Sequence, residues 1–269
     1  MTNTKKNKIA GAIYGFAIGD AMGATTEFMS ENKIKETFGN VTDILGGGWL
    51  NLKAGEVTDD TQMSMCVMDA LMKGKKHFKM HCAENFVDWY KSGPKDIGGQ
   101  CQRAIQHFMY TGQYIYKDSE ALGNGSLMRA LPCAVLNNVQ LNIEQGIITH
   151  NNQECSRGIQ IYTRLIQNYL NGNLYTYNVK GLLEPSGYLW NTLNNAVYWS
   201  NKSTFADAII GAVNHGGDAD TIAAITGGLA GAKFGYDNIP QRWIDQLDYD
   251  VKIFLEKFKN FAFTYVQIN

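Results

Sequence analysis

Two short segments carry carboxylates in a pattern that suits metal chemistry. Thr58-Asp59-Asp60-Thr61 follows a glycine turn at Gly55 and opens a helical pattern, and Asp218-Ala219-Asp220-Thr221 follows Gly216-Gly217 and does the same. Each offers two carboxylates and hydroxyls, which are hard oxygen ligands suited to Mg²⁺ or Mn²⁺, and no His/Cys set competes for zinc. One such segment alone also reads as an acidic helix start favoured by the dipole. The pair, each on a glycine-linked helix start, reads as two halves of one site. Four carboxylates converging without cations would repel and raise one another's pKa values. Two divalent ions would neutralise that charge, and a two-metal site with ions ~3.5–4 Å apart can hold a substrate diol and position a water.

Three further segments offer polar chemistry. Gly123-Asn124-Gly125-Ser126-Leu127-Met128-Arg129 places glycines and a serine before a helical stretch. Backbone N–H groups there can cradle an anion, or simply cap a helix, and Arg129 would add positive charge. The G-K-[ST] ending of a Walker loop is missing. Asp96-Ile97-Gly98 puts an acid before another glycine helix start, as a general base or as one more cap. His150, after Thr149, reads as polar lining or as a satisfied core histidine.

The elements that must position these groups read as helices. Residues 9–28 step Gly11, Gly15, Gly19 and Gly23 along one face at four-residue intervals, and 221–235 repeats this with Gly227, Gly231 and Gly235. Small residues on one stripe let two helix backbones approach closely. Glycine inside a helix costs ~0.5–1 kcal/mol relative to alanine, so seven such positions argue for a purpose. Further helices are expected at about 60–73, 81–92, 98–111, 126–137, 153–170, 186–199, 204–214 and 241–263, with Pro132 kinking its helix. No alternating strand pattern is present, and Gly46–Gly48 mark a turn. With no linker or repeat in the chain, the expectation is one all-α domain spanning 1–269, a compact multi-helix bundle.

Composition agrees with a globular protein and excludes other classes. The chain has 269 residues, 45% of them hydrophobic, with 28 glycines but only 4 prolines, so the glycine excess is not that of a flexible linker. Lys+Arg 24 against Asp+Glu 25 leaves a net charge of −1, without the electrostatic footprint of a nucleic-acid binder. Five scattered cysteines form no CxxC pair, which speaks against a disulfide framework or zinc ribbon. Lys5, Lys6 and Lys8 before the apolar run from Ile9 to Ile18 imitate a signal peptide, but that run meets Asp20 and Glu27 and its glycines are too regular. No stretch reaches the ~18 apolar residues of a membrane span. The expected setting is a reduced cytoplasm.

In order along nearly the whole chain, these residues resemble the ADP-ribosylglycohydrolase family. The likeness runs through Gly11-x3-Gly15-x3-Gly19-Asp20-Ala21-x-Gly23-x3-Glu27-Phe28, Gly55-Glu56-Val57-Thr58-Asp59-Asp60-Thr61-Gln62-Met63, and Asp96-Ile97-Gly98. It continues through the 123–129 loop and Thr149-His150 to Gly216-Gly217-Asp218-Ala219-Asp220-Thr221-Ile222-Ala223. The paired TDDT and GGDADT segments are its most specific part.

The resemblance implies a compact all-α bundle with a binuclear Mg²⁺ or Mn²⁺ centre held by Thr58, Asp59, Asp60, Asp218, Asp220 and Thr221. It aligns Glu27 with an acid beside that centre and Asp96 with the acid proposed as base in the arginine-specific branch. Gly123, Asn124, Gly125, Ser126, Met128 and His150 fall on the substrate, with 124–126 on its phosphates. The activity implied is removal of ADP-ribose from a modified protein, foremost from arginine. Hydrolysis of another ADP-ribose linkage (serine, acetyl ester or nucleobase), a nucleotide phosphohydrolase and a non-catalytic ADP-ribose binder are the alternatives. The chain departs from the family pattern at Cys101, where a threonine is usual, and at Asn151-Asn152, where a proline-containing continuation is usual. Residues 38–54 and 172–187 align with no pattern.

Overall fold

The computed structural model describes residues 1–114, 116, 122–173 and 177–268, and among these it is all-helical, with only isolated bridges and no strands. At its centre lie α1 (Asn3–Gly23) and α11 (Ala219–Phe234). From Ile9 to Gly23 and from Ala219 to Ala232 both helices are buried all round, as expected of helices with no polar face. Their glycine stripes meet face to face and antiparallel. A Cβ added at Gly11 would meet the Gly231 carbonyl at 2.5 Å, at Gly15 the Gly227 carbonyl at 2.5 Å, and at Gly23 the Ala219 carbonyl at 2.5 Å. The seam therefore exists only because these positions lack side chains. Gly235 belongs to it differently from expectation: with φ of 88° it ends α11 rather than extending the stripe.

Around this pair pack α3 (Asp59–Lys73), α4 (Phe78–Lys91), α5 (Gly99–Thr111), α8 (Gln153–Leu170), α9 (Leu189–Ser200) and α10 (Phe205–His215). The 153–170 expectation matches α8 in both bounds, with Asn152 capping its first turn. Two helices escape the periodicity reading, α2 (Glu31–Phe38), which buries only Ile34, and the short α7 (Val139–Ile147), capped by Asn138.

Three expectations need correction. α1 begins at Asn3, where Thr2 caps it, and stops at Gly23 instead of running to 28. The 126–137 helix reduces to α6 (Leu131–Val135), because Pro132 cannot donate to the Met128 carbonyl. Pro132 thus starts a helix rather than kinking one, and the Ser64 hydroxyl donates to Met128 instead. The 241–263 helix is two, α12 (Gln241–Gln246) and α13 (Tyr249–Ile268). Between them Asp248 accepts from the Asp250 and Val251 amides, while its own N–H donates to the Gly55 carbonyl. No helix among the described residues is long and apolar enough to cross a membrane.

Candidate active site

The close approach of α1 and α11 ends at Gly23 and Ala219, and the acidic residues gather there. Asp20, near the end of α1, is fully buried and faces the start of α3. Its carboxylate accepts from the Thr58 hydroxyl at 2.8 Å, the Thr58 amide at 3.1 Å and the Thr61 amide at 3.0 Å. It therefore caps the helix that carries Asp59 and Asp60, a role that the sequence, which leaves Asp20 unassigned, gives no local sign of.

The other segment is set by backbone. Gly216 and Gly217 hold φ of 74° and 63°, which side-chain-bearing residues rarely adopt. Phe28 N–H donates to the Gly217 carbonyl at 2.7 Å, Gly217 N–H to the Met29 carbonyl at 2.9 Å, and Asp218 N–H to the Pro185 carbonyl at 2.9 Å. This turn aims Asp218 and Asp220 at the start of α3, and the Thr221 hydroxyl donates to Asp60 Oδ2 at 3.2 Å. The two sequence segments thus meet.

The resulting carboxylates are crowded and largely buried. Burial is the first cause of the raised pKa values of Asp59, Asp60 and Asp220, with neighbouring carboxylates next. Burial likewise lifts Asp218 to about 6, against the opposing hydrogen bond from the Asn124 amide. Asp20 is also lifted to about 6 by burial, although four hydrogen bonds from Thr58 and Thr61 favour its anion. Glu27 reaches about 8, chiefly through burial, with Asp96, Asp218 and Asp20 adding repulsion. One carboxylate oxygen each from Glu27, Asp218 and Asp220 lies within 4.8 Å of the others. Glu27, aligned beforehand only with an acid beside the centre, thus joins two of the expected ligands.

Asp60 Oδ1 and Asp220 Oδ1 are buried and have no hydrogen-bond partner among the described residues. An orphaned buried carboxylate oxygen is costly unless a cation meets it. This donor set of carboxylates and hydroxyls fits a divalent, oxygen-preferring ion.

A cavity of about 260 Å³ opens beside the cluster, and its wall includes Glu27, Asp59, Asp96, Asp218, Asp220 and Thr221. Gly123, Asn124, Gly125, Met128 and His150 form another part of the same wall. Ser126, Thr58 and Asp60 are buried and are not part of it. Asp96 is raised by burial and stands near Asp59, whose Oδ2 accepts from the Gly98 amide at 3.3 Å.

His150 satisfies both of its sequence readings: it lines the cavity, and its Nδ1 pairs with the Thr149 hydroxyl at 2.8 Å. Burial, with Arg129 and Arg103 adding to it, pushes it down to about 3, so it stays neutral. Arg129 does not add charge to the loop's cavity face. Its guanidinium is buried, donating to Gln145 Oε1 at 2.7 Å and the Thr149 hydroxyl at 2.6 Å, with the Phe86 ring at 4.8 Å. It braces the loop from behind, in part through the Gly125 carbonyl.

The two regions without a family pattern turn out to hold the site. In the first, Trp49 donates its indole N–H to Glu27 Oε2 at 2.6 Å. In the second, Pro185 accepts from Asp218, and the Gly187 carbonyl accepts from the Asn124 amide at 3.0 Å. Residues 174–176 of that region lie outside the described residues.

Comparison with known proteins identifies the family and the fold. The family model for ADP-ribosylglycohydrolase matches residues 1–184 and 177–262. The chain is 35% identical over 272 residues to an ADP-ribosyl-[dinitrogen reductase] glycohydrolase of Rhodospirillum rubrum, covering 91% of this chain and 92% of that protein. It is 31% identical over 282 residues to an ADP-ribosylarginine hydrolase of Serratia proteamaculans (strain 568), covering 90% of this chain and 75% of that one. A solved structure described as an ADP-ribosylglycohydrolase-related protein complex superposes with a TM-score of 0.84 at 26% identity, covering 99% of both chains.

Proposed function

Since the chain belongs to the ADP-ribosylglycohydrolase family, we propose that it removes ADP-ribose from a modified protein by hydrolysing the N-glycosidic bond to arginine. The observation that carries this reading is the meeting of Asp59, Asp60, Asp218 and Asp220, two of whose carboxylate oxygens are orphaned, beside one cavity whose wall holds Asp59, Asp218 and Asp220 together with Asp96 and the 123–125 loop. The arginine linkage is supported by the likeness to an ADP-ribosylarginine hydrolase.

Thr58, Asp59, Asp60, Asp218, Asp220 and Thr221 would hold two Mg²⁺ or Mn²⁺ ions, with Glu27 beside them. Bound there, the ions supply positive charge to fix the ribose hydroxyls and steady a water. The remaining work falls to the chain. The 123–125 backbone, steadied by Arg129 and Gly187, receives the pyrophosphate. Glu27, held by Trp49, faces the ribose. Asp96 lies outside the Glu27–Asp218–Asp220 group, so it is the carboxylate left to take the water's proton as the water attacks the anomeric carbon. That carbon passes through an oxocarbenium-like state as its bond to the guanidine nitrogen breaks, and the proton taken from the water balances the one that the leaving nitrogen acquires.

The partners are accordingly ADP-ribosylated protein and ADP-ribose. The seam between residues near the two ends of the chain supports one domain over 1–269. Five cysteines that form no disulfide among the described residues suit a reducing cytoplasm.

The test is turnover of ADP-ribosyl-arginine with Mg²⁺ or Mn²⁺, with chromatography of the product. Free ADP-ribose is expected, and Asp60→Asn and Asp218→Asn should each lower kcat/KM more than ~100-fold, beyond the usual cost of losing an outer-shell partner. Release of AMP would make the protein a phosphohydrolase. Undiminished activity in both variants would remove the metal centre from the mechanism.

A further inference from the structure

The mouth of the cleft carries two large aromatic rings that no step above uses. Phe28 is 68% exposed and Trp49 is 53% exposed, and their ring centroids lie 5.4 Å apart. Phe28 lines the cavity beside Glu27, Asp59 and Asp96. It does so with a φ of 61°, a left-handed conformation that is costly for a bulky side chain. Trp49 stands on a tight turn closed by the paired backbones of Gly47 and Leu52. Its N–H is engaged by Glu27, yet its ring remains half open to solvent. Two exposed rings held by a strained backbone and a tight glycine turn are not what core packing selects.

We propose that Phe28 and Trp49 form the subsite for the guanidinium side of the substrate, the arginine from which ADP-ribose is cut. This rests on the arginine reading above. An ADP-ribosylated guanidinium is a planar, delocalised cation, and it is drawn both to aromatic faces and to carboxylates. The rim supplies both: the Trp49 indole bonds Glu27, and Phe28, packed near Trp49, lines the cavity whose wall also carries Glu27 and Asp96. A serine oxygen or an acetyl ester is neutral and gains nothing from this arrangement. Adenine is the other planar group of the substrate, but a pyrophosphate and two riboses separate it from the bond being broken. The rings stand beside the carboxylates assigned to that bond. The subsite thus makes the rim, rather than the acidic cluster, the part that selects the linkage.

The test compares wild type with Phe28→Ala and its conservative partner Phe28→Tyr, each checked for an unchanged melting temperature. Three quantities are read: kcat and KM on ADP-ribosyl-arginine, the inhibition constant of agmatine as a free guanidinium probe, and that of free ADP-ribose. Phe28→Ala should raise KM and the agmatine constant together by about three- to thirtyfold, the range of one cation–π contact. The ADP-ribose constant and kcat should hold, and Phe28→Tyr should restore the wild-type values. A parallel rise in the ADP-ribose constant would overturn the proposal by assigning the rings to adenine, and unchanged KM and agmatine binding would overturn it by leaving them no ligand. Should wild type cleave only a serine linkage, the arginine reading fails by itself. Agmatine binding then judges the subsite separately, and its absence from wild type overturns the subsite as well.

Discussion

The starts of α3 and α11 carry nearly the same residues, Thr-Asp-Asp-Thr and Asp-Ala-Asp-Thr, yet the molecule holds them by different means. At α3 a buried side chain does the holding: Asp20 reaches from α1 and accepts from the Thr58 and Thr61 amides. At α11 there is no side-chain cap, and the geometry comes from two left-handed glycines tied by backbone to residues 28, 29 and 185. Two similar acidic segments can thus be aimed either by a distant charge or by a local turn. The first is vulnerable to loss of a side chain and the second to gain of one.

The largest expected effect lies at the glycine turn. In Gly217→Ala the new Cβ would press into the Pro185 carbonyl while keeping an unfavourable φ. The expected loss is about 2–4 kcal/mol of stability in urea unfolding of the metal-free protein. A loss below about 1 kcal/mol, the usual size of a surface change, would show that the turn does not set this half.

Acidity should then affect both halves alike, because burial raises Asp20 and Asp218 to about 6 and Glu27 to about 8. A folded carboxyl with a raised pKa binds more protons than its unfolded counterpart, so metal-free stability falls as pH rises through that window. The melting temperature without metal is expected to drop from about pH 4, the ordinary carboxylate range, to about pH 8. Added Mn²⁺ should flatten the drop by favouring the deprotonated ligands. A metal-free protein that grows more stable over that range would contradict the buried repulsion at both starts.

Smaller effects separate the halves through their supports. Asp20→Ala removes the acceptor for three donors and should weaken Mn²⁺ binding about 10–100-fold in calorimetric titration. Asn124→Ala removes one hydrogen bond to Asp218 and should sit near the lower limit of that range, about tenfold. Equal losses in the two variants would mean that the supports are equivalent, against the comparison drawn above.

Residue order made much of this visible, and the misses share a physical form. α8 could be read in both bounds because its apolar spacing and its Asn152 cap are local signals. α12 and α13 read as one helix in the sequence because the cap that parts them, Asp248, sits inside an otherwise helical pattern. Arg129 reads as available to an anion because its sequence neighbours are a glycine loop, while its actual partners, Gln145 and Thr149, come from α7 and the turn after it. Trp49 and Pro185–Gly187 lay in regions without a pattern, yet they hold Glu27, Asp218 and Asn124. Nothing in a lone tryptophan or glycine announces a partner far along the chain.

Helix spacing, glycine stripes and acids at helix starts are written in residue order, since each depends on neighbours three or four positions away. Which stripe meets which, and in what register, is decided only when two backbones approach closely enough to exclude every Cβ between them. That antiparallel register lays Gly23 against Ala219, and there Asp20 meets Thr58 and Thr221 meets Asp60. The acidic residue types belong to the sequence, whereas their convergence beside one cavity belongs to the packing of α1 against α11.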